Sequence, residues 1–368
     1  MILRRRRLRT AVAPRQDVLI ACELGRLRAA VERVRRRPLP ATAPAAPAVD
    51  VLAVCSPGGH LFEALALSSA WSGHTQAWVS LDKPDVRSLL ARKRVFFAHG
   101  PTERSLRNLV RNLILARRVI REVRPRILVT TGAGVGVPFA WMARLSGAHI
   151  IYVESAGRVD GPSLSARLIA PVAHRVYVQW PELTGAVPRA RYVGNVLAAA
   201  RKHAPPSAAA SGVLVTVGVS EVPFDRLVAA AGELTDEPVI VQRGPSAVRA
   251  SRARCFEFLP FAELEELMDH VRVIVCHAGL GSVAAAHAHG LRPVVVPRRQ
   301  RFGEAVDDHQ VLFARRLGAA GLATVVEDVE HLPSTVRMAR TGLTGDVGPD
   351  PAAELAHEVD EALGAASS

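Results

Sequence analysis

The chain has 368 residues, is 49% apolar and carries a formal net charge of +13. That size and apolar content are enough for two domains with cores of their own and exclude a disordered polypeptide. No run approaches the roughly 18 apolar residues of a membrane span, and Arg4 to Arg7 precede no signal-peptide core, so the chain is expected to be neither secreted nor membrane-spanning.

Residues 1–50 hold twelve arginines against four acids, so most of the charge sits in an N-terminal arm. From Val18 to Val34 apolar residues recur at helical spacing (Ile20, Leu24, Leu27, Val31, Val34), with arginines between them. Gly25 weakens that helix by about 1 kcal/mol. A basic amphipathic helix suits an anionic membrane surface, each basic residue contributing about 1 kcal/mol. A solvated tail is the plainer alternative, and nucleic acid is not expected as a partner. Residues 1–46 are therefore read as arm plus linker, the linker being the Pro/Ala stretch Pro38 to Val49.

Beyond the linker, short β-branched runs alternate with helical patterns: VDVLAVC at 49, QAWVSL at 76, RVFFA at 94, RILVTT at 126, HIIYVES at 149 and RVYVQW at 175. A second Pro/Ala stretch, 198–211, reads as a hinge. The rhythm then restarts with GVLVTVG at 212, PVIVQRG at 238, CFEFLP at 255, RVIVCHAG at 272, RPVVVPR at 292 and LATVVED at 322. Continuous apolar strands separated by helices indicate parallel sheets covered on both faces. The expected fold class is α/β, with two Rossmann-like doubly wound domains, 47–197 and 212–345, facing a cleft. A C-terminal helix and tail, 346–368, follows. The four cysteines (Cys22, Cys55, Cys255, Cys276) show no C-x-x-C spacing and read as thiols in a reducing compartment.

Glycines cluster at four strand ends. Ser56-Pro57-Gly58-Gly59-His60 follows the first strand of the first half, and the Gly132, Gly134, Gly136 loop follows its fourth. In the second half Val217-Gly218-Val219-Ser220 follows the first strand, and His277-Ala278-Gly279-Leu280-Gly281-Ser282 the fourth. Each loop opens a helix, whose free amides attract anions, so a diphosphate between the halves would satisfy them. Gly132, Gly134 and Glu154 imitate a dinucleotide fingerprint, but the pattern's third glycine falls on Val137, followed by Pro138.

These residues carry a resemblance. The Ser-x-Gly-Gly-His loop at 56–60, TTGAGVGVP at 130–138, YVESAGRVDGPSLS at 152–165 and VQW at 178–180 resemble the acceptor subunit of the dolichol-pathway N-acetylglucosaminyltransferase. VTVG at 215–218, Phe224-Asp225, VQRG at 241–244, HAGLGS at 277–282, VVVPR at 294–298 and GEAVDDHQ at 303–310 resemble its donor-binding subunit. Looser similarity extends to the transferase that completes the murein lipid precursor and to bacterial exopolysaccharide transferases. The chain resembles both subunits fused. The resemblance implies a GT-B fold, a UDP-sugar in the second half, a polyprenyl-pyrophosphate-linked acceptor in the first, inversion at the anomeric carbon, and no cofactor or essential metal. The basic arm, with no span or signal core, adds the expectation of a cytoplasmic enzyme held peripherally at a membrane.

On this reading His60 is a base toward the acceptor hydroxyl or a phosphate contact, and Glu154 and Arg158 position the acceptor; helix capping and a structural ion pair are the alternatives. Gly58, Gly59, Gly132, Gly134 and Gly136 line the acceptor side, with Arg107 and Arg111 on a basic helix, 104–124, near a lipid surface. Gly218, Ser220, His277, Ala278, Gly279, Gly281 and Ser282 cradle the donor diphosphate, and Glu304, Asp308, His309 and Gln310, beside Asp307, contact the donor. Relatives often carry a glutamate where this chain has Ala285, and Glu304 is the candidate substitute for holding ribose. A transferase with a soluble acceptor, a UDP-sugar epimerase and a non-catalytic recruiting partner are the competing readings.

Overall fold

A computed structural model describes residues 14–36, 48–102, 105–199, 210–339 and 349–365. Most of the expected hinge at 198–211 lies outside the described residues, as do the first thirteen residues of the arm.

The first half runs α1 (Pro14–Arg36), β1 (Val51–Val54), α2 (Gly59–Ala66), β2 (Gln76–Leu81), α3 (Pro84–Leu89), β3 (Val95–Ala98), α4 (Leu106–Val123), β4 (Ile127–Thr130), α5 (Ala133–Leu145), β5 (His149–Val153), α6 (Leu164–Ile169), β6 (Arg175–Val178), β7 (Ala190–Tyr192) and α7 (Val196–Ala199). The second runs β8 (Val213–Thr216), α8 (Asp225–Ala231), β9 (Val239–Gln242), β10 (Arg254–Phe256), α9 (Phe261–His270), β11 (Val273–Cys276), α10 (Leu280–Ala288), β12 (Val294–Val295), α11 (His309–Ala319), β13 (Thr324–Val325) and α12 (Leu332–Met338). A last helix, α13 (Ala352–Ala365), returns to the first half, where it packs on β4 and on the turn Leu67–Trp71.

All twelve runs recognised in the sequence form strands. The thirteenth, β7, escaped notice because Ala190-Arg191-Tyr192 is a short, half-exposed edge with no apolar pattern. The sheets are wholly parallel, in the orders β3-β2-β1-β4-β5-β6-β7 and β10-β9-β8-β11-β12-β13. Strand order reverses between β1 and β4 in one sheet and between β8 and β11 in the other. A crevice opens at such a switch point because the two following crossovers leave in opposite directions. The four glycine loops are the loops after these four strands.

The arm departs from expectation. Leu27, Val31 and Val34 are buried, α1 packs on α4, α5 and α6, and Arg117 donates to the Val34 carbonyl at 2.7 Å. The apolar stripe read as membrane-facing is thus committed to the fold, at roughly 1.5–3 kcal/mol for each buried side chain. The arginines between these positions remain exposed.

One core runs through both halves: Leu280, Val283, Phe313 and Leu317 of the second pack with Leu61, Leu197 and Leu355 of the rest. At the boundary Arg316 grips Glu182 with two hydrogen bonds of 2.7 and 2.9 Å, and its guanidinium stacks 4.6 Å from the Trp180 ring.

Candidate functional site

The two switch points face each other. Between them lies a cleft lined from the first half by Gly58, Gly59, Phe62, Asp85 and Ser88 and from the second by Thr216, Gly218, Gln242, His277, Gly279, Gly281, Ser282 and Ala285. Its far end is the apolar wall from Phe258 to Leu264, which the sequence reading did not include. The helices that begin at the two loops, α2 and α10, meet across the cleft.

On the donor side the glycines have a cause visible only in three dimensions. The His277 ring lies between the backbones of Gly218 and Gly279, and a Cβ on either would collide with it. Gly218 also has φ +76°, a conformation that side chains avoid. Burial and the nearby charge of Arg298 push the His277 imidazole down to about 3, so the ring is neutral. Its Nδ1 has no hydrogen-bond partner among the described residues. Gly281 and Ser282, in the first turn of α10, line the cleft, and a helix N-terminus favours negative charge.

Behind this loop sits Arg298, which is 1% exposed. Its guanidinium donates to the carbonyls of Val217, Val222, Pro223 and Glu304, at 2.9–3.3 Å, so one buried cation holds the loop after β8 in shape. Glu304 is not among the cleft residues. Both its oxygens accept from Arg226, at 3.0 and 2.9 Å, and one also accepts from the Arg299 amide, which places it in an ion pair within the second half. Gln310 accepts from the Arg298 amide and Asp308 from the Gln300 amide. His309 pairs with Asp307, and Ser220 accepts from the Val222 amide. Ala278 is buried beneath the loop. Of the expected donor set, Gly218, His277, Gly279, Gly281 and Ser282 line the cleft.

On the acceptor side, Gly58 (φ +70°) turns the chain into α2, and its amide donates to Asp85 at 3.0 Å. His60 follows with its side chain 29% exposed and its Nδ1 3.4 Å from the carboxylate of Glu63, which is 1% exposed. Burial pulls the His60 imidazole down, but Glu63 and the more distant Glu154 outweigh it and leave it above its ordinary value. Glu63 was not singled out in the sequence, although a residue three after His60 in a helix shares its face. Glu154 accepts from the Ser163 amide and hydroxyl at 3.1 and 3.2 Å and from the Ser155 amide at 3.3 Å, so it ties down the loop 155–163. Burial raises its carboxyl above the usual range, against the pull of these bonds and of His60.

Gly132, Gly134 and Gly136 are closed over by Tyr152, Thr102 and Thr130, so close packing accounts for each of them. Arg107 and Arg111 are exposed on the first turns of α4. The charge of Arg158, in the first half, reaches Asp307, in the second. Burial raises that carboxyl, but His309 and Arg158 bring it below its usual value.

Residues 97–196 match the family described as oligosaccharide biosynthesis protein Alg14 like, and residues 213–343 match the glycosyltransferase family 28 C-terminal domain. A UDP-N-acetylglucosamine–N-acetylmuramyl-(pentapeptide) pyrophosphoryl-undecaprenol N-acetylglucosamine transferase of Verminephrobacter eiseniae is 32% identical over 301 residues, covering 72% of this chain and 81% of the relative. One of the same name from Pseudomonas fluorescens is 28% identical, covering 79% and 94%. Among solved structures, Acinetobacter baumannii MurG superposes with a TM-score of 0.53 at 19% identity, covering 86% and 95%. Staphylococcus aureus MnaA, solved with UDP, gives 0.53 at 12%, covering 83% and 94%. At those identities the structures share the two-domain GT-B fold.

Proposed function

Because this chain belongs to the family of UDP-N-acetylglucosamine–N-acetylmuramyl-(pentapeptide) pyrophosphoryl-undecaprenol N-acetylglucosamine transferases, we propose that it moves N-acetylglucosamine from UDP to a polyprenyl-pyrophosphate-linked sugar. The supporting observation is the shared cleft, lined by Gly58 and Gly59 of the loop that precedes His60 and by Gly279, Gly281 and Ser282 at the start of α10, which packs against that loop.

In this reading the acceptor hydroxyl gives its proton to His60 as its oxygen attacks the anomeric carbon. The bond from that carbon to the β-phosphate oxygen breaks on the opposite face, and the electron pair leaves with UDP. The Gly281 and Ser282 amides meet the charge on the diphosphate, fixed in place before the reaction and so costing little reorganisation. Neutral His277 packs beside them without adding charge. The reaction has no cofactor or essential metal, so a chelator leaves the rate unchanged.

The nucleoside lies along the wall from Phe258 to Leu264, with its ribose over Ala285. Arg158, with Asp307 and His309, contacts the sugar end at the cleft mouth. The enzyme works at the cytoplasmic face of a membrane. Attraction to anionic lipid comes from the exposed arginines of α1 and α4, and exposed Leu106 and Leu164 add apolar contact at the first turns of α4 and α6.

The test is to incubate the protein with labelled UDP-N-acetylglucosamine, UDP-glucose, UDP-galactose or UDP-glucuronate. The acceptor is polyprenyl-pyrophosphoryl-N-acetylmuramyl pentapeptide or its water-soluble headgroup. Label from the first donor entering the lipid phase with inverted configuration supports the proposal. Transfer to the headgroup alone, or from none of the donors, overturns it.

A further inference from the structure

We propose that Glu63 is a positioning residue for the transfer: from inside the fold it holds His60 in the tautomer that can accept a proton. The inference rests on the reading above only in treating His60 as the base.

His60 and Glu63 lie three residues apart on α2 and therefore share one face of the helix. The Glu63 carboxylate is 1% exposed. One of its oxygens accepts from the Ala156 amide at 2.7 Å, which fixes the carboxylate plane. The other stands 3.4 Å from Nδ1 of His60, and neither of these two atoms has a hydrogen-bond partner among the described residues. A buried carboxylate oxygen without a donor and a buried ring nitrogen without a partner are each costly. A proton on Nδ1, directed at Glu63, relieves both. That proton leaves the lone pair on Nε2, the nitrogen Glu63 does not hold, and a base needs that tautomer.

The charged groups facing His60 are Glu63 from its own helix and Glu154 from the segment after β5; Thr131, after β4, donates to its backbone carbonyl. Glu154 has both oxygens engaged by Ser155 and Ser163 and acts on His60 only through its field. Glu63 is the carboxylate free to orient the ring.

Glu63→Gln separates this role from a purely structural one. Its amide oxygen still accepts from Ala156, but its amide N–H groups now face Nδ1 and drive the proton to Nε2. We expect kcat to fall on the order of a hundredfold or more, with KM for the UDP-sugar unchanged. The acid limb of kcat/KM, where deprotonated His60 is required, moves to lower pH because the protonated ring has lost its carboxylate. Nuclear magnetic resonance of labelled histidine should show the His60 tautomer switched and its pKa lowered. Should Glu63→Gln fail to fold, Glu63→Asp keeps the charge but draws it back from the ring, and a smaller shift in the same direction is expected. An unchanged His60 titration with activity retained, or with activity lost only through KM and melting temperature, overturns the proposal. His60→Gln with full activity instead removes the base reading, and the resonance experiment still decides the pairing.

Discussion

The ring of Phe62, in the first half, lies over Gly281, in the second, so closely that a Cβ on Gly281 would stand 2.7 Å from the ring's Cδ2. The same ring meets Phe261 with centroids 4.9 Å apart. An aromatic side chain of one domain thus rests at the helix start where the other domain offers its amides, and glycine at 281 is what allows the approach. Gly281→Ala should force ring or domain apart at roughly 1–3 kcal/mol. Calorimetry is expected to show UDP binding about tenfold weaker, with most of the loss recovered in the double variant with Phe62→Ala. No recovery would mean that the ring is not what the methyl group strikes.

Ala285 lines the cleft from the second turn of α10 and is 5% exposed. A carboxylate there could accept from ribose hydroxyls, a charged hydrogen bond contributing about 1.5–3 kcal/mol. Ala285→Glu is therefore expected to tighten UDP binding about tenfold and to leave binding of a 2′,3′-dideoxy analogue unchanged. Equal effects on both nucleotides would place the ribose elsewhere.

His277 titrates near 3 in the fold because burial and Arg298 oppose its charge, against about 6.5 when unfolded. Between these values the unfolded chain binds the extra proton, so the stability contributed by neutral His277 is complete above about pH 6.5 and is lost as pH falls toward 3. The loss amounts to about 2 kcal/mol by pH 5. Melting temperature measured from pH 7 to 5 should fall less steeply in His277→Asn than in the parent. His174, down at about 4, contributes the same trend in both proteins.

Glu358 of α13 is 5% exposed and joins the first half through His149 at 2.9 Å and Arg175 at 2.8 Å. Glu358→Ala leaves the Arg175 cation without its carboxylate and should cost about 2–3 kcal/mol, discounted from a fully buried pair because Arg175 is one-third exposed. Urea unfolding measures this directly. A change below about 0.5 kcal/mol would show that α13 is held by Leu355, Val359 and Leu363 alone.

Leu27 of α1 is 2% exposed against the first half. Leu27→Ala is expected to cost about 2–4 kcal/mol, and removal of residues 1–36 to lower the melting temperature as well as reduce sedimentation with anionic vesicles. Replacing Arg26, Arg28, Arg33 and Arg35 with glutamine should weaken vesicle binding while leaving stability within about 0.5 kcal/mol. Unchanged vesicle binding in that variant would detach the arm from any membrane role.

The sequence alone determined the two parallel sheets, their strands and the four loops that end at the cleft. Buried parallel strands are continuous β-branched runs, and tight strand-to-helix turns require glycine wherever they occur. Tertiary structure decided what fills the space each glycine leaves. His277 occupies it beside Gly218 and Gly279, Phe62 beside Gly281, and Tyr152 beside Gly132. It also decided that the apolar stripe of α1 faces protein, and that Glu63 rather than Glu154 faces His60 with an uncommitted oxygen. Periodicity and glycine content report that a surface is covered or a backbone approached; the partner comes from elements distant in the chain and is known only once they are packed together.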